Sequence, residues 1–328
     1  MNPLDSTIEY LLELPAPAVL TTHAIPWCEQ HGLITSRDFA SNLHTALYVA
    51  LFYQLCFVVG KYLIFPPFAR WRKPQDTTKL VDQSAVHFVS FIQSVVVLRL
   101  SIEFLLSEFY HPRFTDPWLR IFGTDGQTSA IVTFAMGYFL WDIYISSVYS
   151  TLPFVIHAVV STVVFCVGMK PYIQYYGGVF LMFELSNPFL NIRWFCIKYS
   201  TGTNVWAKWF QTANNLLLML VFFLARIVWG WYQIANLAYD FWVVRHDPRF
   251  LPLDSIVIVA GNLVLDVLNG SKLRITYYSC WSSSWPASYG VGTRLPIWPT
   301  ISGLCATIQD FCPSIRSSLL RAIWYWTC

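Results

Sequence analysis

The chain has 328 residues, 55% of them apolar and 18% aromatic, but only 12% charged, about half the charged fraction of an ordinary soluble domain. A soluble protein of this length needs more charge than that to cover its core, so lipid must be the solvent for much of the surface. The 21 Lys+Arg and 18 Asp+Glu form no long run of one sign, which excludes a nucleic-acid footprint.

The N-terminal segment, 1–42, opens with MNPLDSTIEYLLELPAPAVL, in which no basic stretch precedes an apolar one. A cleaved leader is not expected, and the first span does the targeting. A bilayer core about 30 Å thick takes around 20 apolar residues of helix. Such runs predict spans over 43–65, 84–106, 128–147, 152–168, 172–190, 211–234 and 251–268. Period-2 alternation is missing, and an open sheet cannot sit in lipid. The predicted class is therefore all-α, a polytopic transmembrane bundle of six or seven helices. Residues 43–272 form its membrane domain. From Leu273 the sequence mixes Ser, Trp, Cys, Pro and Gly without helical period, so 273–328 reads as a poorly structured tail.

Lys and Arg are retained on the cytosolic side of a membrane. One set of flanks carries Lys61, Arg70, Arg72, Lys73, Lys79, Arg193, Lys198, Lys208 and the basic residues after the seventh span; the other carries only Arg37, Arg113, Arg120, Lys170, Arg245 and Arg249. This asymmetry predicts a lumenal N-terminus and a cytosolic C-terminus.

Ionisable groups inside spans are costly and mark sites or pathways. Folding the spans up and down brings His87, Asp142, His157, Glu184, Asn214, Asn215 and Asp266 to similar depths, roughly 5 to 9 Å below one surface. On their helices His87 shares a face with Ser90 and Ser94, and His157 with Ser161. A carboxylate facing an imidazole fixes its tautomer and favours its protonated form, as general acid/base or nucleophilic work requires. Arg99 and Glu103, four residues apart, are expected to pair, and Arg226 to snorkel or meet a carboxylate such as Asp254. Zinc fits His87, His157, Glu184 and Asp142 by ligand type, but they come singly from separate helices, and the eight cysteines lack ligand spacing. No metal is expected.

The segment FELSNPFLNIRWF, with Glu184, Ser186, Pro188, Asn191, Arg193 and Trp194, resembles the TLC-domain family, as do MGYFLWDIY around Asp142 and FVIHAVVS around His157. That family groups multi-span endoplasmic-reticulum proteins and includes the ceramide synthases; this chain is more similar to its smaller members. The resemblance implies a bundle around a central cavity, with His87, Glu184, Ser186, Asn191, Arg193, Trp194, Asn214 and Asn215 lining it or binding lipid. Ceramide synthases carry paired histidines, whereas here His157 is followed by Ala158.

Two functions follow. The first is a lipid-homeostasis protein of the endoplasmic-reticulum membrane, which holds a lipid or acyl chain between its helices, has membrane lipids as partners and needs no cofactor. The second is an acyltransferase with acyl-CoA as co-substrate, in which His157 is base or acyl acceptor and Asp142 orients it. Transport is disfavoured, since no inverted repeat or broken-helix Gly/Pro pair is visible.

Overall fold

The computed structural model describes residues 3–31, 36–72, 77–200 and 205–284, and among them it is helical with no strand. The α-helices are α1 (Pro3–Glu13), α2 (Ile25–Gln30), α3 (Arg37–Val59), α4 (Phe65–Arg72), α5 (Thr77–Glu108), α6 (Pro117–Phe122), α7 (Gly126–Tyr149), α8 (Leu152–Gly168), α9 (Gln174–Phe180), α10 (Asn187–Tyr199), α11 (Val205–Phe222), α12 (Trp229–Val244) and α13 (Pro252–Ser284). Two compact units divide the chain, Met1–Asn269 and Gly270–Cys328. The second begins three residues before the expected tail, and α13 stays helical well past Leu273, to Ser284. Residues 285–328, most of that tail, lie outside the described residues.

Among the described residues four helices are long and apolar enough to cross a membrane: Asp38–Arg72, Thr77–Glu108, Gly126–Tyr149 and Val205–Val244. The first joins α3 to α4 through a π-turn at Gly60–Ile64, and the last joins α11 to α12 through a π-turn at Phe223–Val228. Leu152–Gly168 is equally apolar but shorter, at 17 residues.

The expected span over 172–190 is not one helix. Ile173, at φ 63°, starts α9 from a left-handed conformation. Leu181–Ser186 is 3-10, and Pro188 sits in the first turn of α10. Proline costs least there, because the first amide hydrogens of a helix have no partner within it. The segment is thus broken into α, 3-10 and α stretches that change at Leu181 and at Asn187. Irregular backbone is tolerated at membrane depth only where protein buries it. Tyr175, Tyr176, Val179, Phe180, Leu181 and Phe183 are all buried.

Close approach fixes the α3/α7 pair. A Cβ at Gly137 would lie 2.6 Å from the Ala46 carbonyl oxygen and 2.6 Å from Val49 Cβ. Lipid supplies no hydrophobic drive between helices, so small residues that let backbones meet provide the attraction through packing.

Polar contacts gather the helix ends of the first unit into two groups. One group joins the end of α3–α4, the start of α5, and the ends of α7 and α10. There Lys61 lies 2.8 Å from Asp82 and 3.2 Å from Tyr149 Oη, while Arg72 donates to the carbonyls of Lys198 and Ser200 at 3.2 and 2.8 Å. The other joins the end of α5, α6, the start of α7, and the ends of α8 and α12. Arg113 pairs there with Glu108 (2.7 Å) and Asp125, Arg120 with Asp240 (2.5 Å), and Lys170 with Asp254 (2.8 Å). Asp254 therefore belongs to Lys170, and not to Arg226 as expected. The Arg99–Glu103 pair forms as expected, at 2.5 Å.

Candidate functional site

The broken segment and the π-turn of the α11–α12 helix face each other. A π-turn inserts a residue into a helix and re-aims the side chains around it. Here it carries Arg226, which is 5% exposed. Its Nε donates to Ser186 Oγ at 2.8 Å, its Nη2 donates to Asn187 Oδ1 at 2.7 Å, and Nη2 stands 4.0 Å from Glu184 Oε1. Asn187 Nδ2 donates to Glu184 in turn. Asp266 of α13 is buried and acts on the same guanidinium electrostatically. Its carboxylate lies against the Gly230 backbone, where a Cβ would come within 3.2 Å of Oδ1. A buried guanidinium persists in such surroundings only with carboxylates and hydrogen-bond acceptors around it.

Arg226 and Glu184 open onto a cavity of about 50 Å³, room for a few waters. His157, Ser161, Tyr176 and Asn262 supply its other polar lining, and Val132, Phe139, Val164, Phe165, Phe180 and Leu265 its apolar walls. The His157 ring meets Phe139 edge-on, with centroids 6.2 Å apart. The Tyr176 hydroxyl donates to Asp240 at 2.6 Å, which ties the cavity wall to the Arg120 ion pair. One compartment therefore offers a cation, a carboxylate, an imidazole and apolar walls.

A second polar group lies beside α5. His87 Nδ1 is 2.8 Å from Asn191 Oδ1. The Asn191 amide nitrogen donates to Ser90 Oγ and the Asn187 carbonyl, so its oxygen faces His87 as acceptor and Nδ1 carries the hydrogen. The ring stacks on Trp194, with centroids 4.2 Å apart. Tyr138, buried on α7, is near enough to Ser90, Asp142 and Glu184 to feel them electrostatically.

The residues singled out from sequence thus divide. His157 and Glu184 share the cavity, with Ser186 behind it on Arg226; His87, Asn191 and Trp194 form the α5 group. Asp142 accepts from Ser146 at 2.8 Å and is not among the cavity-lining residues. Asn214 donates to the Phe189 carbonyl at 2.9 Å, Asn215 is buried beside it, and Arg193 is half-buried on α10. Arg226, Asn262 and Tyr176 were not among the expected lining residues. The guanidinium inside the 211–234 run was the available signal for the first. Among the described residues, no three His, Cys, Asp or Glu side chains gather as a metal ion needs.

Helices long and apolar enough to cross a membrane, packed around a small cavity with charged and apolar lining, define a helical membrane protein. The chain belongs to the TLC domain family, whose model matches residues 83–271. It is 46% identical over 290 residues to an uncharacterized TLC domain-containing protein of Saccharomyces cerevisiae, covering 80% of this chain and 91% of that one. An uncharacterized TLC domain-containing protein of Schizosaccharomyces pombe is 30% identical over 256 residues, 77% of this chain and 82% of the relative. Topoisomerase I damage affected protein 4 of Saccharomyces cerevisiae is 32% identical over 242 residues, 72% of this chain and 83% of the relative. No solved structure matches the chain.

Proposed function

We propose that this protein works in lipid homeostasis in the endoplasmic-reticulum membrane, with its N-terminus lumenal and its C-terminus cytosolic, and that it holds a membrane lipid or acyl chain at the Arg226–Glu184 cavity. The observation that carries this reading is the combination in one compartment of Arg226, Glu184 and His157 with walls of Val132, Phe165 and Phe180. A lipid has the same two parts, a polar head for the charged groups and a chain for the apolar walls. At about 50 Å³ the cavity holds no chain as it stands, so a lipid enters as the walls part. The α8/α13 contact is the seam for this, since a Cβ at Gly261 would meet Val164 at 2.5 Å.

The test is photocrosslinking of the purified protein by a diazirine-bearing fatty acid or phospholipid. Labelled peptides from α8 or α13 are expected, and Gly261→Leu, which wedges the seam, should abolish the label while the protein keeps its helix content. Label confined to the outer faces of α3 and α11, or unchanged in Gly261→Leu, would sink the proposal.

A second reading is favoured by one observation, that His157 and Glu184 line the same cavity. In an acyl transfer from acyl-CoA, His157 would take the proton of the acceptor hydroxyl or amine as it attacks the thioester carbonyl, with Arg226 stabilising the oxyanion and Glu184 the imidazolium; the C–S bond then breaks and the departing CoA thiolate takes that proton back from His157. Labelled acyl-CoA with a panel of lipid acceptors tests it. Product lost in His157→Ala supports transfer; no product from wild type with any acceptor rejects it.

A further inference from the structure

The two ends of the first unit treat their cations differently. At the end that holds α6, Arg113, Arg120, Lys170 and Arg249 each have a carboxylate within 3.0 Å or closer, and Arg245 lies over the Trp242 ring at 3.7 Å. At the opposite end Lys61 is neutralised by Asp82. Arg70, Arg72, Lys79, Lys198 and Lys208 there meet no carboxylate among the described residues. Arg72 is held by the Lys198 and Ser200 carbonyls, which fix its position without cancelling its charge. Lys198 lies over the Trp194 ring at 5.9 Å, and Arg70, Lys79 and Lys208 are exposed.

These five cations come from four elements. Arg70 and Arg72 end α4, Lys79 begins α5, Lys198 ends α10, and Lys208 begins α11. Arg72 joins α4 to α10 directly, and Ser84 joins α5 to α10 through Tyr199 at 2.7 Å. Trp71, Trp206 and Trp209 are exposed among them. Indole rings of this kind settle at the headgroup level of a bilayer, which puts the cations at phosphate depth. Retention on one side of the membrane accounts for basic residues at an end. It does not account for carboxylates on Arg113, Arg120, Lys170 and Arg249 at one end when, among the described residues, Arg70, Arg72, Lys79, Lys198 and Lys208 at the other have none.

Resting on the membrane reading above, we infer that this end is a docking surface for anionic phospholipid headgroups in the leaflet it occupies. Each Lys or Arg near a negatively charged leaflet favours contact by about fivefold, and a cation already paired with a carboxylate contributes little of this. The surface selects by charge, independently of the cavity.

The experiment uses the full chain, solubilised and equilibrated with mixed phosphatidylcholine and phosphatidylserine, with retained lipids identified by native mass spectrometry. Wild type is expected to retain phosphatidylserine well above its share of the mixture. The triple variant Arg70→Gln, Lys79→Gln and Lys208→Gln should lower that enrichment by at least about fivefold, and salt should erase it. Arg245→Gln with Arg249→Gln, at the other end, should leave it unchanged. Enrichment that survives the triple variant, or falls equally with the Arg245/Arg249 pair, overturns the inference. Displacement of phosphatidylserine by coenzyme A at micromolar concentration would assign the surface to a soluble phosphate ligand and also overturns it. Gly261→Leu separates the two proposals, because it should lose acyl label at the seam and keep serine-lipid enrichment.

Discussion

Arg120 and Asp240, 120 residues apart in sequence, meet through two hydrogen bonds of 2.6 and 2.5 Å, and the carboxylate is fully buried. Asp240 also accepts from Tyr176, so one carboxylate anchors the short helix α6, the broken segment and α12 together. Without it the phenol would lose its acceptor, and the guanidinium would keep only the Phe114 carbonyl and no counter-charge.

Removing that acceptor should therefore cost more than a surface change. Asp240→Asn keeps the shape but leaves Arg120 unneutralised, a change of about 3–5 kcal/mol for a buried pair. Thermal unfolding in detergent should show a marked drop for Asp240→Asn and almost none for Asp247→Asn, whose partner Arg249 is exposed. Equal stability of the two variants would refute the anchoring role.

Gly137 and Gly126 lie on one helix in opposite surroundings. A Cβ at Gly137 would strike the α3 backbone, whereas at Gly126 nothing lies within 4 Å. Gly137→Ala should destabilise the protein by about 1–3 kcal/mol, while Gly126→Ala should be neutral or slightly stabilising through helix propensity. Melting temperatures of the two variants in one detergent decide it.

The Asp125 carboxyl, outside the spans, sets an acid limit. Burial pushes it up, but the Thr128 amide and the Arg113 guanidinium outweigh burial and hold it below the usual carboxylate range. A depressed folded value means stability that is present above the unfolded pKa, about 3.9, and is lost as pH falls through the folded one. Asp125 is 36% exposed, so solvent screening reduces the contribution to about 1 kcal/mol. Wild type should lose stability below about pH 4 more steeply than Asp125→Asn, which keeps a side-chain cap on α7 without the charge. Parallel acid titrations of the two would expose the difference.

Asn269-Gly270-Ser271 is a glycosylation sequon placed on the cytosolic side by the proposed orientation. It should carry no glycan. A glycosidase-sensitive mass shift that vanishes in Asn269→Gln would reverse the orientation.

Hydropathy located the helices well, because transfer of side chains into lipid is a sum over a window. The runs 43–65, 84–106, 128–147, 152–168 and 211–234 each fall within an observed helical stretch. The break inside 172–190 escaped the same sum, which weighs side chains and is blind to the hydrogen-bond ladder. Pro188, in the first turn of α10, carried part of that information as a backbone signal. Partnerships were harder still. Arg99 with Glu103 is legible because one helical turn enforces it, but His87 with Asn191 spans 104 residues. Common depth pointed to a shared layer, yet depth says nothing about azimuth, and the helices turn His87 and His157 to different partners.

The π-turn at Phe223–Val228 also sets the angular phase of everything after it. Each residue of an α-helix advances the chain by about 100°, so deleting one residue from this turn would rotate α12 by that angle relative to α11. Asn214 and Asn215 before it, and Asp240 after it, are all buried, and such a rotation would swing the Asp240 carboxylate away from Arg120 and Tyr176. At this place in the chain, length carries the constraint that residue identity carries elsewhere. Single-residue deletions between 223 and 228 should accordingly be far less tolerated than conservative substitutions of the exposed Leu224 or Val228.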